Sequence, residues 1–447
     1  MKIIHLISSV ALIIGITTPV LGQNYSLEDA KAYAIENNLS VKQAENAIEI
    51  ARLKIVETRG LGLPQVEFNG SFNHFINLPV SVLDAKFFNP LAADGETISF
   101  EAGTKFNSTG SLQVNQIIFN GSYIVALQTA DLFRSFQETS SNQIMEDIVF
   151  NVIQAYEMAA ISKENLIFLD SLVSSTQSLI NKQENFLELG LMLQEDIDQL
   201  NYSLLNSKSV YTTAEINYLN AIAMLQLAMG YPMNETITIS DSPKQLMQKK
   251  SLSNGSTDIH SNIGYSVLEK QVELYKLNVK NNKFSNLPSL NGFFQQSYNA
   301  YRNEFNLFAN ERWYPQTVWG LQLKIPIFSG LTRYSKTAQA KVELMNTENQ
   351  LTKIEQSLQF QEIQHRNNLN GAQNKFELQK ENVSLASSIY NNAIAKEKIG
   401  NGNSIDVTQK HTQLLMAQAN YVVSMVELFQ SQLSLDKLYN NILPTIK

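Results

Sequence analysis

The chain has 447 residues, a formal net charge of −7, 17% charged residues and no cysteine. The acidic balance speaks against nucleic acid as a main partner, since neutralising phosphates needs basic patches. The lack of cysteine removes disulfides, thiolate metal sites, cysteine nucleophiles and any lipid anchor on an N-terminal Cys.

Residues 1–22 read as a secretory signal peptide. Lys2 supplies the positive region, Ile3 to Ile16 the apolar stretch, and Val20-Leu21-Gly22 a small-residue cleavage site before Gln23. The alternative is a membrane anchor, which Ser8, Ser9, Thr17, Thr18 and Pro19 make a poor spanning helix. No later stretch approaches the ~20 apolar residues that a transmembrane helix needs. An exported chain of this kind is either soluble or sits in the outer membrane as a barrel.

A helix is expected over about 27–58. After Leu63-Pro64 come two segments with a period of two. In the first, Val66, Phe68, Phe72 and Ile76 alternate with Gln65, Glu67, Asn69, Ser71 and Asn73. In the second, Phe106, Leu112 and Val114 alternate with Asn107, Ser111, Gln113 and Asn115. Residues 78–105 between them read as a loop. No proline occurs from Leu91 to Tyr231, and an interior proline costs a helix about 3 kcal/mol. That permits a helix over 122–188, about 100 Å at ~1.5 Å per residue, and another over 193–230. Leu166, Leu169, Val173, Ile180 and Leu187 follow a heptad interrupted by Thr176 and Gln183.

The order then recurs, with a helix over 262–284 and Leu287-Pro288 after it. The next two strands place Leu290, Phe294 and Tyr298 opposite Asn291, Gln295 and Ser297, then Trp319, Leu321, Leu323, Ile325 and Ile327 opposite Gly320, Gln322 and Lys324. Residues 299–315 form their loop. Tyr298, Tyr301, Phe305, Phe308, Trp313 and Tyr314 cluster there, as an interfacial belt or as the closure of a barrel mouth. Helices over 331–399 and 404–441 complete the chain. Phe119-Asn120-Gly121 and Phe328-Ser329-Gly330 lie 209 residues apart, and Gly190 with Asp196-Ile197 and Gly400 with Asp406-Val407 lie 210 apart. The chain therefore reads as two structural repeats, each a helix, two barrel strands and a long helical hairpin, over 23–240 and 262–447, with an equatorial linker over 241–261.

The fold class is read as mainly α with a membrane β-barrel portion. Four strands cannot close a membrane barrel, since the smallest have about eight, and open edges are not tolerated in lipid. Two chains would give a filled eight-stranded barrel, and three a twelve-stranded barrel with an open lumen. A transport role favours three.

The tandem repeat, the Leu-Pro marks, the Phe-x-Gly marks and the Gly-x5-Asp-[Ile/Val] turns together resemble the TolC-like outer membrane efflux proteins, from about Ser26 to Tyr439. The resemblance implies a homotrimer with four barrel strands per chain, set in outer membrane lipid of a Gram-negative bacterium. Its long antiparallel helices would form a periplasmic tunnel. It further implies docking of a periplasmic adaptor (membrane fusion) protein and an inner-membrane pump. The family's adaptor contacts fall on Gly190, Asp196, Ile197, Gly400, Asp406 and Val407. Three departures touch its tip: Gln409 stands where some members have aspartate, Glu397 where some have tyrosine, and Gly402 where some have arginine. Glu195, Asp196, Asp198 and Asp406 read either as solvated helix starts or as an acidic entrance ring that would favour cations.

No catalytic constellation or cofactor motif appears. His74, His260, His365 and His411 show no metal-ligand spacing, and His365 and His411 are expected on polar helix surfaces. The functional expectation is passive export of small molecules as the outlet of a tripartite efflux system. Its alternatives are the outlet of a type I protein secretion system, or a periplasmic coiled-coil structural protein without a barrel.

Overall fold

The computed structural model describes residues 23–251, 257–306 and 310–443. The expected signal segment 1–22 and Phe308 lie outside the described residues. The elements run β1 (Gln23–Tyr25), α1 (Leu27–Asn37), α2 (Leu39–Gly60), β2 (Gln65–His74), β3 (Val80–Asp84), β4 (Thr97–Glu101), β5 (Phe106–Phe119), α3 (Gly121–Glu188), α4 (Gln194–Met229), β6 (Ile237–Ile239), α5 (Pro243–Ser251), α6 (Ile263–Phe284), β7 (Ser289–Arg302), β8 (Tyr314–Lys324), α7 (Thr332–Lys398) and α8 (Ser404–Leu438). The order helix, strand, strand, long helix, shorter helix occurs twice. α3 and α7 have 68 and 67 residues, so each is about 100 Å long.

Several boundaries differ from the sequence expectation. The first helix is two, because Asn38 is extended. Its N–H closes α1 on Ala34 O, its Oδ1 accepts from Ser40 N at 2.9 Å at the start of α2, and its Nδ2 donates to Ala228 O at 3.0 Å. The loop 78–105 contains the antiparallel β3–β4 hairpin. The fourth strand runs from Tyr314 to Lys324 and stops before Pro326, which cannot donate to a ladder, so Ile325 and Ile327 lie outside it. β7 continues to Arg302, beyond the expected Tyr298.

The contacts divide the chain into two compact units. One comprises Met1–Ala44, Ser141–Ile263 and Glu355–Lys447. In it β1 pairs in parallel with β6 beside a core that includes Val149, Val152, Tyr156, Leu225, Met229 and Leu433. Buried Tyr156 organises this corner. Its hydroxyl lies 2.9 Å from Tyr25 O and 3.0 Å from Asp241 Oδ2, and it accepts from the Asp241 N–H at 3.1 Å. Asp241 Oδ2 also accepts from Leu27 N at 2.8 Å, at the start of α1, where a carboxylate suits the helix dipole. A second cluster joins Leu172, Leu179 and Ile180 of α3, Leu200 and Leu204 of α4, Tyr390 and Ile394 of α7, and Val407 and Leu414 of α8.

The other unit comprises Glu45–Ser140 and Gly264–Ile354. It holds the antiparallel sheet β2-β5-β7-β8, whose outer strands β2 and β8 each have one unpaired edge. Among the described residues, no helix is long and apolar enough to cross a membrane.

Candidate functional site: sheet faces and hairpin turns

Cross-strand register sorts the sheet into rows. One face carries Gln65–Asn115–Phe293–Gly320, Glu67–Gln113–Gln295–Val318, Asn69–Ser111–Ser297–Gln316 and Ser71–Thr109–Asn299–Tyr314. These side chains are mostly uncharged amides and hydroxyls, with Glu67 and Lys324 as the charges of this face. The other face carries Val66–Val114–Phe294–Trp319, then Phe68, Leu112, Leu290, Leu321 and Leu323. It is bare in one chain: Phe68 is 74% exposed and Trp319 76%. Gln296 and Thr317, polar residues on this apolar face, sit opposite each other and share a hydrogen bond, which keeps them satisfied there. A sheet with one apolar face, one neutral polar face and two open edges matches a lipid-facing wall around water once its edges are closed.

The aromatic cluster expected at the strand ends splits between the faces. Phe72, His74 and Phe106 lie on the apolar face and stack, with His74 and Phe106 centroids 4.4 Å apart; Phe305 folds over Phe72 and Phe106 at 5.7 and 5.9 Å. Tyr298 shares that face. Tyr301 and Tyr314, 6.1 Å apart, share the polar face. Trp313 lies exposed just before β8.

The hairpin turns are built alike. Gly190 (φ 69°) and Gly400 (φ 75°) take the left-handed conformation that ends a helix. Leu191 N donates to Phe186 O at 2.9 Å, and Asn401 N donates to Lys396 O at 3.0 Å. Ile197 and Val407, one turn into the following helices, are buried. Asp196 Oδ2 accepts from Leu193 N at 3.4 Å. Asp406 is exposed and lies 3.8 Å from Lys410 Nζ, while Asn403 caps α8 through Ile405 N at 2.7 Å. Glu195 and Asp198 are exposed, and Gln194 Nε2 donates to Asp198 Oδ1 at 2.9 Å. The four acidic residues therefore belong to two different turns. Each turn also projects apolar side chains: Leu189, Leu191 (71% exposed) and Leu193 at one, Ile399 and Ile405 at the other.

Glu397 and Gly402, two of the departures noted in the sequence, are in direct contact. A Cβ on Gly402 would lie 2.5 Å from Glu397 N, so the turn folds down onto Glu397. Glu397 is 4% exposed, and its Oε1 accepts from Ser404 Oγ at 2.6 Å.

Sequence reading missed the polar seam between the hairpins. Thr176 and Gln183, the heptad's polar interruptions, are buried: Thr176 Oγ1 lies 3.2 Å from Tyr390 OH, and Gln183 Nε2 donates to Glu397 O at 3.2 Å. Ser203 meets Thr408 at 3.1 Å and Ser207 meets His411 at 2.7 Å. The expectation for His411 is therefore corrected. It is 0% exposed, because it falls on the α8 stripe that faces α4, and burial pushes its pKa down to about 4. His365 is half-buried and its pKa is also lowered by burial. The signal for the seam was available: Thr176, Gln183 and His411 each recur at core spacing with apolar residues. Buried Glu146 on α3 has the opposite response, with burial raising its carboxyl to about 7. Among the described residues, no group of three or more His, Asp or Glu side chains could hold a metal.

Residues 266–441 match the family model described as outer membrane efflux protein. A proteases secretion protein, PrtF, of Dickeya chrysanthemi is 22% identical over 218 residues, 46% of this chain; the match spans only 45% of that relative's length. The fold is similar to that of the Campylobacter jejuni CmeC outer membrane channel (TM-score 0.70, 14% identity, 94% of this chain and 87% of that one). It is also similar to the Vibrio cholerae outer membrane protein VceC (TM-score 0.68, 14% identity, 92% of this chain and 95% of that one). The chain thus has the fold of the TolC-like outer-membrane channels, as the sequence resemblance implied.

Proposed function

We propose that this chain is one subunit of an outer-membrane channel for passive export from the periplasm of a Gram-negative bacterium. Three copies supply twelve strands, and the long helices that follow each strand pair form the periplasmic conduit. The two repeats, 23–240 and 262–447, are the quasi-equivalent halves of each subunit, joined through 241–261. The observation that carries the reading is the sheet itself. It is too small to close, carries an apolar face and a neutral polar face, and ends in two edges that lipid would not tolerate. The polar rows suit a water-filled lumen. The turns at Gly190-Asp196-Ile197 and Gly400-Asp406-Val407, with their exposed leucines and isoleucines, suit docking of a periplasmic adaptor that connects to an inner-membrane pump. Glu195, Asp196, Asp198 and Asp406 would ring the entrance and favour cations. Efflux of small molecules is the favoured cargo. Protein secretion is the second reading, supported by the named role of the Dickeya relative.

The test is the mature protein extracted in mild detergent and returned to vesicles. A heat-dissociable trimer from the outer-membrane fraction that conducts ions supports the channel. A monomer recovered from the soluble periplasm removes it.

A further inference from the structure

We propose that the β3–β4 hairpin is a docking surface for a second copy of this chain at the barrel rim. The inference rests on the trimeric barrel proposed above. The hairpin pairs Val80–Asp84 with Thr97–Glu101 and is tied to the β2–β5 ladder. Phe75 N donates to Lys105 O at 2.8 Å and Ala102 N to Pro79 O at 2.8 Å, so it extends a barrel strand pair.

Its turn spends its polar groups on itself. Ala85 N donates to Glu96 O at 2.8 Å, Lys86 N to Asp84 Oδ1 at 2.9 Å, Leu91 N to Asn89 Oδ1 at 3.1 Å and Ala93 N to Glu96 Oε2 at 3.1 Å; Lys86 and Asp94 form an ion pair. What points outward is apolar. Phe87 is 83% exposed, Leu91 94%, and Phe88 is exposed beside them. One face of the hairpin adds Leu83, Ile98 and Phe100. Among the described residues, the ring contacts of Phe87 and Phe88 are with each other, at 5.8 Å. A solvated loop has no use for a turn that satisfies its own polar groups and presents its large apolar ones, whereas an interface does.

The position of the hairpin selects the occupant. β2 is an open edge of the sheet and needs another copy's β8 beside it. Three antiparallel steps separate β2 from β8, so the end of β2 at His74 and the start of β8 at Tyr314 lie at the same end of the sheet. Each seam between copies then sets a long 75–105 segment beside the neighbour's short 303–313 segment. The insertion is present in the first repeat alone, so at each seam the longer connection meets the shorter one.

The experiment places a photoreactive benzoylphenylalanine at Phe88 of the full chain in cells. Irradiation should give an adduct of twice the subunit mass, whose peptides include a second copy's rim segments. A trimer that assembles but gives adducts with lipid alone, with another protein or with nothing overturns the inference and leaves the channel intact. Absence of any trimer overturns both. As a second reading, Phe87→Ser/Phe88→Ser/Leu91→Ser should lower the temperature at which the trimer dissociates in detergent. An unchanged dissociation temperature overturns the docking.

Discussion

His411 and Glu146 make the pH dependence of the helical unit a test of its packing. His411 is buried in the seam, with Ser207 on Nε2 and no partner on Nδ1 among the described residues. Burial lowers its pKa from 6.5 to about 4. Above pH 6.5 it is neutral in both folded and unfolded chains and costs nothing. Between 6.5 and 4 the unfolded chain binds a proton that the folded one refuses, so stability falls as pH falls. At about 1.4 kcal/mol per pH unit, the loss reaches about 3 kcal/mol. Glu146 runs the other way. Burial raises its pKa from 4.5 to about 7, so below 4.5 it is neutral in both states. Between 4.5 and 7 the unfolded chain releases a proton that the folded one keeps, and stability falls as pH rises, again by about 3 kcal/mol. The two slopes oppose each other over nearly the same window. From these two groups the native protein should show little pH dependence between about 4.5 and 6.5. His411→Gln should leave the Glu146 slope exposed, with stability falling as pH rises, and Glu146→Gln should leave the opposite slope. Denaturant midpoints of the detergent-solubilised protein, taken at half-unit pH steps, read both. If the two variants show parallel profiles, neither group is buried as described and the reasoning fails.

Other perturbations probe the remaining features. Tyr156→Phe deletes the hydroxyl shared by Tyr25 O and the Asp241 backbone and side chain. It should cost about 1–3 kcal/mol in denaturant titration, since it takes the acceptor from the Asp241 N–H, while Tyr25 O keeps Ser240 and Asp241 Oδ2 keeps Leu27 N. Trp319→Lys puts a charge on the apolar face and should reduce barrel stability in vesicles by about 2–4 kcal/mol if that position is near the bilayer midplane, whereas Gln316→Lys on the polar face should be tolerated. Equal losses from both would mean the faces are misassigned. Leu189→Ser/Leu191→Ser/Leu193→Ser removes exposed side chains. It should leave the melting temperature unchanged while weakening capture of the periplasmic adaptor proposed above in pull-down; undiminished capture would move the proposed docking site elsewhere.

Periodicity made the long helices and the strand faces legible, because each is a local rule repeated many times. Alternation in β2 and β5 assigned Val66, Phe68, Leu112 and Val114 to one face and Glu67, Asn69, Ser111 and Gln113 to the other, as the register does. Boundaries were less legible where a single side chain overrides the pattern. Asn38 breaks an otherwise helical stretch because its amide serves Ser40 and a carbonyl on α4, a partner distant in sequence. The β3–β4 hairpin escaped notice because its strands have five residues each and enclose a long turn. His411 was misplaced by its polarity: it lies one turn from Val407 and Leu414, on the buried face, as its spacing allows. Its burial depends on Ser207, about 200 residues away.

The seam and the two turns together bear on how such a conduit could open. The α7–α8 turn is fastened to its surroundings: Glu397 holds Ser404, receives Gln183 from α3, and lies under Gly402. The α3–α4 turn has Leu187, Met192 and Gln194 at the equivalent positions and is held by local bonds from Gly190, Leu191 and Leu193. Separating the ends of α3 and α7 would break the Gln183–Glu397 and Thr176–Tyr390 bonds. Each is a hydrogen bond of modest net worth, about 1 kcal/mol, rather than a buried ion pair. The same separation would open the apolar cluster that joins the four helices, so it costs more than these two bonds, and a partner could favour it only by binding the open form more tightly. The polar bonds fix how the two hairpins register while the apolar cluster supplies most of the hold, so the adaptor proposed above would have to offset both to part them.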